Sequence, residues 1–148
     1  MEQIEITLNN VLANAFILYF KTHSYHWNVE CKNFKEMHDF FGDLYEDIHD
    51  SVDSIAEEAR ACGYYAPASL MEMYNYKTIT EDSDKPDSAE QMLIRIGAAN
   101  AIMIESLNKL FKDATAADEQ GLADFAAGRI DVHKKHGWMI RSFLKGGE

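Results

Sequence analysis

The chain has 148 residues, 47% of them hydrophobic and 26% charged, which is enough apolar side chain for one globular domain and too much for a disordered one. A net charge of −11 argues against direct DNA binding, because affinity for nucleic acid comes mainly from Lys and Arg on phosphates. No apolar run approaches the roughly 20 residues of a membrane span, so no membrane association is expected.

Met1 leads almost at once into an amphipathic pattern, without the basic segment and cleavage site of a signal peptide, so a cytoplasmic location is expected. Cys31 and Cys62 set up no disulfide framework. Lys134, Lys135 and Arg141 form a small basic cluster, with no lysine-rich tail at either end.

Helical periodicity starts at the N-terminus. Ile4, Leu8, Val11, Leu12, Phe16, Leu18 and Tyr19 predict a first helix over 4–27, followed by a loop over 28–33. Met37, Phe41, Leu44, Ile48, Val52, Ile55, Ala59 and Cys62 step by three and four and predict a second helix over 34–62, ended by Gly63. The stretch 64–86 is a long connection with a short helix over 68–74.

A third helix is expected over 88–114, with Asp87 or Ser88 as N-cap and Glu90 and Gln91 near the N3 position. The chain turns over 117–121. A fourth helix follows over 122–144, stopped by Gly146 and Gly147. The two prolines, Pro67 and Pro86, fall outside all four long helices, as an all-α chain requires. Short first and last links around one long middle connection predict a ferritin-like four-helix bundle with a crossover. Phe40, Tyr45 and Trp138 disturb the two-faced pattern and suggest faces buried against other subunits.

The candidate chemistry lies on the first two helices. Asp53 and Glu57 are four residues apart and share a helix face, where like charges disfavour each other unless a cation is bound. A solvated acidic face would look the same. His26 and His38 flank the first loop and can be neighbours in one hairpin. A helix rises about 1.5 Å per residue, so His38 and Asp53 lie about 22 Å apart on one rod. Imidazoles and carboxylates can therefore meet only across two copies, for example where two second helices pack about a two-fold axis. Imidazole with carboxylate suits iron, zinc or manganese.

The segment His26-Trp27-Asn28-Val29, then His38, then Asp53-Ser-Ile-Ala-Glu57 and Gly63, resembles the Dps family of miniferritins. Lys135-His136-Gly137-Trp138-Met139 and Ala123-Asp124 extend the resemblance over nearly the whole chain, residues 1–148, taken as one domain.

The resemblance implies a hollow dodecamer built from two-fold dimers. It implies Fe(II) oxidised to Fe(III) by peroxide or oxygen, storage of the mineral, and protection against oxidative damage. His26 and His38 would be ligands from one subunit, and Asp53 and Glu57 from its partner, with zinc or manganese as alternatives to iron. Trp27 would stand beside the site and intercept radicals; packing at the helix end is the competing role. Acids at the start of the last helix, Asp118, Glu119 and Asp124, would line pores that admit Fe(II). For Asp118 and Glu119, a favourable interaction with the helix dipole is sufficient explanation.

One departure stands out. The family usually carries an Asp four residues after the second histidine, where this chain has Gly42. That puts a second iron position in doubt and opens an alternative: a shell protein with a degenerate metal site and little ferroxidase activity. Asp39, Asp43 and Glu46 lie nearby, and Asp43 points about 100° away. His49, one turn before Asp53, could add a nitrogen ligand or be a surface or interface histidine. Glu46 and His49 also form a Glu-x-x-His element, used in intrachain di-iron bundles, but no second such element occurs in the last helix. His133 and His136 are spaced for chelation, yet packing or surface roles are expected, as for His23.

Overall fold

The computed structural model describes residues 2–145, and all regular structure among them is helical. Helices α1 (Gln3–Asn28) and α2 (Phe34–Ala61) make one hairpin, and α4 (Ala89–Ala116) and α5 (Gln120–Lys145) make the other. The crossover between them carries the short helix α3 (Leu70–Tyr76). α1 packs on α2 and α4, α4 packs on α5, and α3 packs on α1. This is the expected four-helix bundle with one long connection.

The predicted stripes are the ones that fold inward. Met37, Phe41, Leu44, Ile48, Ile55 and Ala59 of α2 are buried, as are Leu8, Val11, Leu12 and Leu18 of α1. They meet Met103, Leu107 and Leu110 of α4 and Ile140 of α5. Each large aliphatic side chain removed from water contributes roughly 1.5–3 kcal/mol.

The helix ends differ from expectation in instructive ways. Gly63, at φ 93°, ends α2 with Tyr64 N–H on the Ala59 carbonyl and Gly63 N–H on that of Arg60, as expected of a C-terminal glycine. The same bond pattern closes α4, but there the left-handed residue is Asp118, at φ 58°. Because Asp118 alone reverses the chain, α5 starts at Gln120 and Gly121 lies inside the helix rather than in a turn. α3 begins at Leu70, later than predicted. Ser69 caps it by accepting the Glu72 N–H, and the Glu72 carboxylate accepts the Ala68 N–H. Gly146 and Gly147, expected to stop the last helix, lie outside the described residues.

Of the three residues expected to face other subunits, two are engaged inside the protomer. Phe40 packs on Phe143, ring centroids 4.6 Å apart, and Tyr45 stacks on His23. Trp138 remains 62% exposed.

Two polar networks position the elements. In the first, fully buried Asn14 of α1 accepts the Thr78 and Ile79 N–H groups at 2.8 and 3.0 Å. It donates to Thr78 Oγ1 and to Ser106 Oγ of α4. Farther along, Asp82 accepts from buried Lys21 at 2.8 Å and from Tyr25 at 2.5 Å, with Arg95 alongside at 3.3 Å. Partial burial alone would raise the Asp82 carboxyl, but these bonds and charges hold it below the ordinary range.

The second network lies between α2, α4 and α5. Arg129 forks onto Asp47 at 3.1 and 2.9 Å and donates to His133 Nε2 at 3.1 Å. His133 Nδ1–H then donates to Asn100 Oδ1 at 2.9 Å. His136 Nε2 stands 3.4 Å from the same Asp47 carboxylate. Burial first, then the Arg129 charge, pulls His133 down to about 3, and burial also lowers His136. His133 is thus a neutral core residue.

Replacing Asn14 by Ala leaves two backbone N–H groups and Ser106 without their partner. At about 1–3 kcal/mol per orphaned buried group, Asn14→Ala should destabilise the protein by roughly 3 kcal/mol, read by urea denaturation at fixed protein concentration.

His133 predicts acid sensitivity with a definite sign. Its folded value lies below the unfolded one of about 6.5, so its contribution is intact above that pH. Stability should fall as pH drops from about 6.5 toward 3, by about 1.4 kcal/mol per pH unit for one proton. Urea titrations across that window should show a shallower slope for His133→Gln.

Candidate metal centre

The short link between α1 and α2 brings the last turn of one helix beside the first turns of the other. Val29 N–H closes α1 on the Tyr25 carbonyl, and buried Val29 anchors the link. His26 and His38 meet there with rings stacked, centroids 3.7 Å apart and planes 18° from parallel. Each Nδ1 donates to the other residue's backbone carbonyl, both at 2.7 Å. A carbonyl can only accept, so Nδ1 carries the proton in each ring. In the neutral imidazole Nε2 is then left with its lone pair. A carbonyl bond at one nitrogen that frees the other is the usual way a metal-binding histidine is oriented.

Neighbouring residues fix these rings further. Phe34 stacks on the His38 side at 5.1 Å. Gly42 lies opposite His26: a Cβ built at 42 would meet His26 Cε1 and Nδ1 at 3.2 Å. The missing side chain that removes a carboxylate also makes room for the histidine ring.

The expected carboxylates are at the other end of α2. Asp53 and Glu57 are exposed and one turn apart. A hydrogen bond with Asp53, then the Asp53 charge, raises the Glu57 carboxyl above its ordinary value. Two carboxylates this close repel each other, and a cation between them would relieve that repulsion. α2 is continuous from Phe34 to Ala61, so the separation of about 22 Å between His38 and Asp53 stands. Among the described residues, no three His, Cys, Asp or Glu side chains gather to hold a metal within one protomer. The intrachain Glu46–His49 arrangement therefore finds no partners.

His49 does not reach toward Asp53. Its ring packs on Tyr19 at 4.7 Å, and its nearest carboxylate contact is Asp50 at 4.0 Å. Trp27 is 55% exposed, and its ring lies 4.2 Å from His23 and 6.3 Å from Phe20. Asp118 and Glu119 sit in the α4–α5 turn and Asp124 on the first turns of α5, all exposed.

Two groups escaped the sequence. The Asp47–Arg129–His133 network joins α2 to α5. Only the His133–His136 spacing hinted at it, and nothing local links Arg129 to Asp47. Beside the paired histidines, His23 stacks on Tyr45 at 3.8 Å and 6°, while Tyr19 Oη lies 3.0 Å from His23 Nδ1. The four-residue step from Tyr19 to His23 was the available signal.

Comparison with known proteins bears on the fold and the family. The model of the ferritin-like domain matches residues 6–148. The DNA protection during starvation protein 2 of Bacillus anthracis is 30% identical over 97% of this chain and 97% of its own length. The chain belongs to the Dps miniferritins.

Among solved structures, the miniferritin is similar to Dps from Thermosynechococcus elongatus, at 26% identity and a TM-score of 0.93 over 97% of this chain and 90% of that one. Dps from Staphylococcus aureus gives 28% identity and a TM-score of 0.91, covering 97% and 96%. Among the described residues of this miniferritin, no helix is long and apolar enough to cross a membrane.

Because the Asp53 hydrogen bond and charge hold Glu57 up, Asp53→Ala should lower the Glu57 titration midpoint. Carboxyl carbon NMR of Glu57 during a pH titration reads this directly.

Proposed function

We propose that this miniferritin binds Fe(II) between subunits, oxidises it to Fe(III), and stores the product inside a closed shell of its own copies. The reciprocal His26–His38 bonds carry this reading. They hold two imidazoles with Nε2 free, and a site of that kind is incomplete without carboxylates from elsewhere. Asp53 and Glu57 of a partner subunit would complete it, brought in by antiparallel packing of two α2 helices about a two-fold axis. The repulsion between Asp53 and Glu57 would be relieved as the cation arrives. Glu57 would bridge or bind through both oxygens.

Peroxide or oxygen is the oxidant, and iron supplies the redox chemistry. The family speaks for iron; nothing supports zinc or manganese in its place. A dodecamer is the assembly the family implies, with Asp118, Glu119 and Asp124 focusing Fe(II) at its pores. The B. anthracis relative is named for DNA protection. With a net charge of −11, this protein would protect by removing iron and oxidant rather than by coating DNA.

Gly42 favours a second reading, a shell whose metal site is degenerate. With no side chain at position 42, no carboxylate projects from there toward the His26 ring. The two readings separate on one measurement. Anaerobic Fe(II) titration should show tight binding to the assembled protein, and peroxide should then oxidise the bound iron rapidly. Asp53→Ala with Glu57→Ala should abolish both. Oxidation kinetics unchanged in that double variant refute the ligand assignment, and absence of tight binding in the parent protein selects the silent shell.

A further inference from the structure

We propose that Tyr19 and His23 form a redox pair that supplies the second electron when peroxide meets a single Fe(II) at the His26–His38 site. The inference rests on the iron-oxidation reading above. It starts from electron counting. Peroxide accepts two electrons and one Fe(II) gives one. Gly42 stands in place of an acid; where one Fe(II) occupies the site, the second electron must come from elsewhere.

A phenol gives up an electron most readily when its proton can leave at the same moment. Tyr19 meets that condition: its hydroxyl lies 3.0 Å from His23 Nδ1. Among the described residues, neither Tyr45 nor Trp27 has such a bond. In the tautomer that carries its proton on Nε2, the His23 ring accepts the Tyr19 hydroxyl at Nδ1. The rings also form a continuous path. His26 is 5.2 Å from Tyr45 between centroids, Tyr45 stacks on His23 at 3.8 Å, and His23 is the hydrogen-bond partner of Tyr19. Each gap is short enough for an electron to cross quickly.

The step balances. One Fe(II), one peroxide, one tyrosine and one neutral histidine give Fe(III), two hydroxides, a tyrosyl radical and a histidinium. The peroxide O–O bond breaks and takes one electron from iron and one from Tyr19. The Tyr19 O–H bond breaks and its proton moves to His23 Nδ1. No hydroxyl radical is released. Tyr19 touches neither iron nor oxidant; it acts through the Tyr45–His23 stack.

The test has two arms. In the first, assembled protein loaded anaerobically with one Fe(II) per site receives equimolar peroxide and is freeze-quenched for EPR. A neutral tyrosyl radical is expected, lost in Tyr19→Phe and retained in Tyr45→Phe. In His23→Phe, which keeps a ring in the stack but removes the base, the signal should fall several-fold. In the second arm, iron-free protein is oxidised by a flash-generated ruthenium(III) complex. The radical should again settle on Tyr19, with a solvent deuterium effect that His23→Phe removes.

Normal iron oxidation with an undiminished radical in Tyr19→Phe, or with the radical on Trp27, overturns the proposal. A Tyr19 radical in the second arm without iron oxidation in the first would sink the proposed function and leave the redox pair standing.

Discussion

A straight helix cannot fold one end onto the other, and α2 is a single rod of 28 residues. It carries His38 near its start and Asp53 and Glu57 toward its far end. Any chemistry that uses both must therefore be shared between molecules. On the proposed reading, assembly would be a condition of the site as well as a means of enclosing a cavity. The rigidity of α2 comes from its buried stripe, so the packing that stabilises the protomer is also what prevents it from completing the site alone.

The two ends of that rod are prepared differently. At the imidazole end, geometry is fixed in advance by main-chain carbonyls, and the rings hold each other in place. At the carboxylate end, the acids face solvent and Asp53 holds the Glu57 carboxyl above its ordinary value. In the proposed site one half would be held rigid and the other left to adapt, so that ordering would fall on the exposed acids.

Much of this was legible in the sequence because it follows local rules. The three-and-four spacing from Met37 to Cys62 gave α2 and its inward face. Gly63 marked its end, and the loop between His26 and His38 implied their proximity. What escaped depended on long-range partners. Asn14 looks like any helix asparagine until Thr78 and Ile79 are placed beside it, 64 and 65 residues away. Asp118 was hidden because a left-handed turn usually announces itself with glycine, and Gly121 stood nearby as the more obvious candidate. For His49, helical spacing indicated the neighbourhood of Asp53, while its packing on Tyr19 of α1 depends on a partner distant in sequence.

The network around Arg129 bears on where metal can and cannot reside. Bundles of this architecture can bind metals in their interior, between facing helices. Here that space holds a guanidinium clasped by Asp47 and bonded to His133. The protomer has filled its own middle with a positive charge that is covalently attached and never deprotonates. No chelator can extract it and no competing ion can easily displace it. That interior position is thereby closed to a metal ion, and a cation that the protomer does bind must be held at its surface.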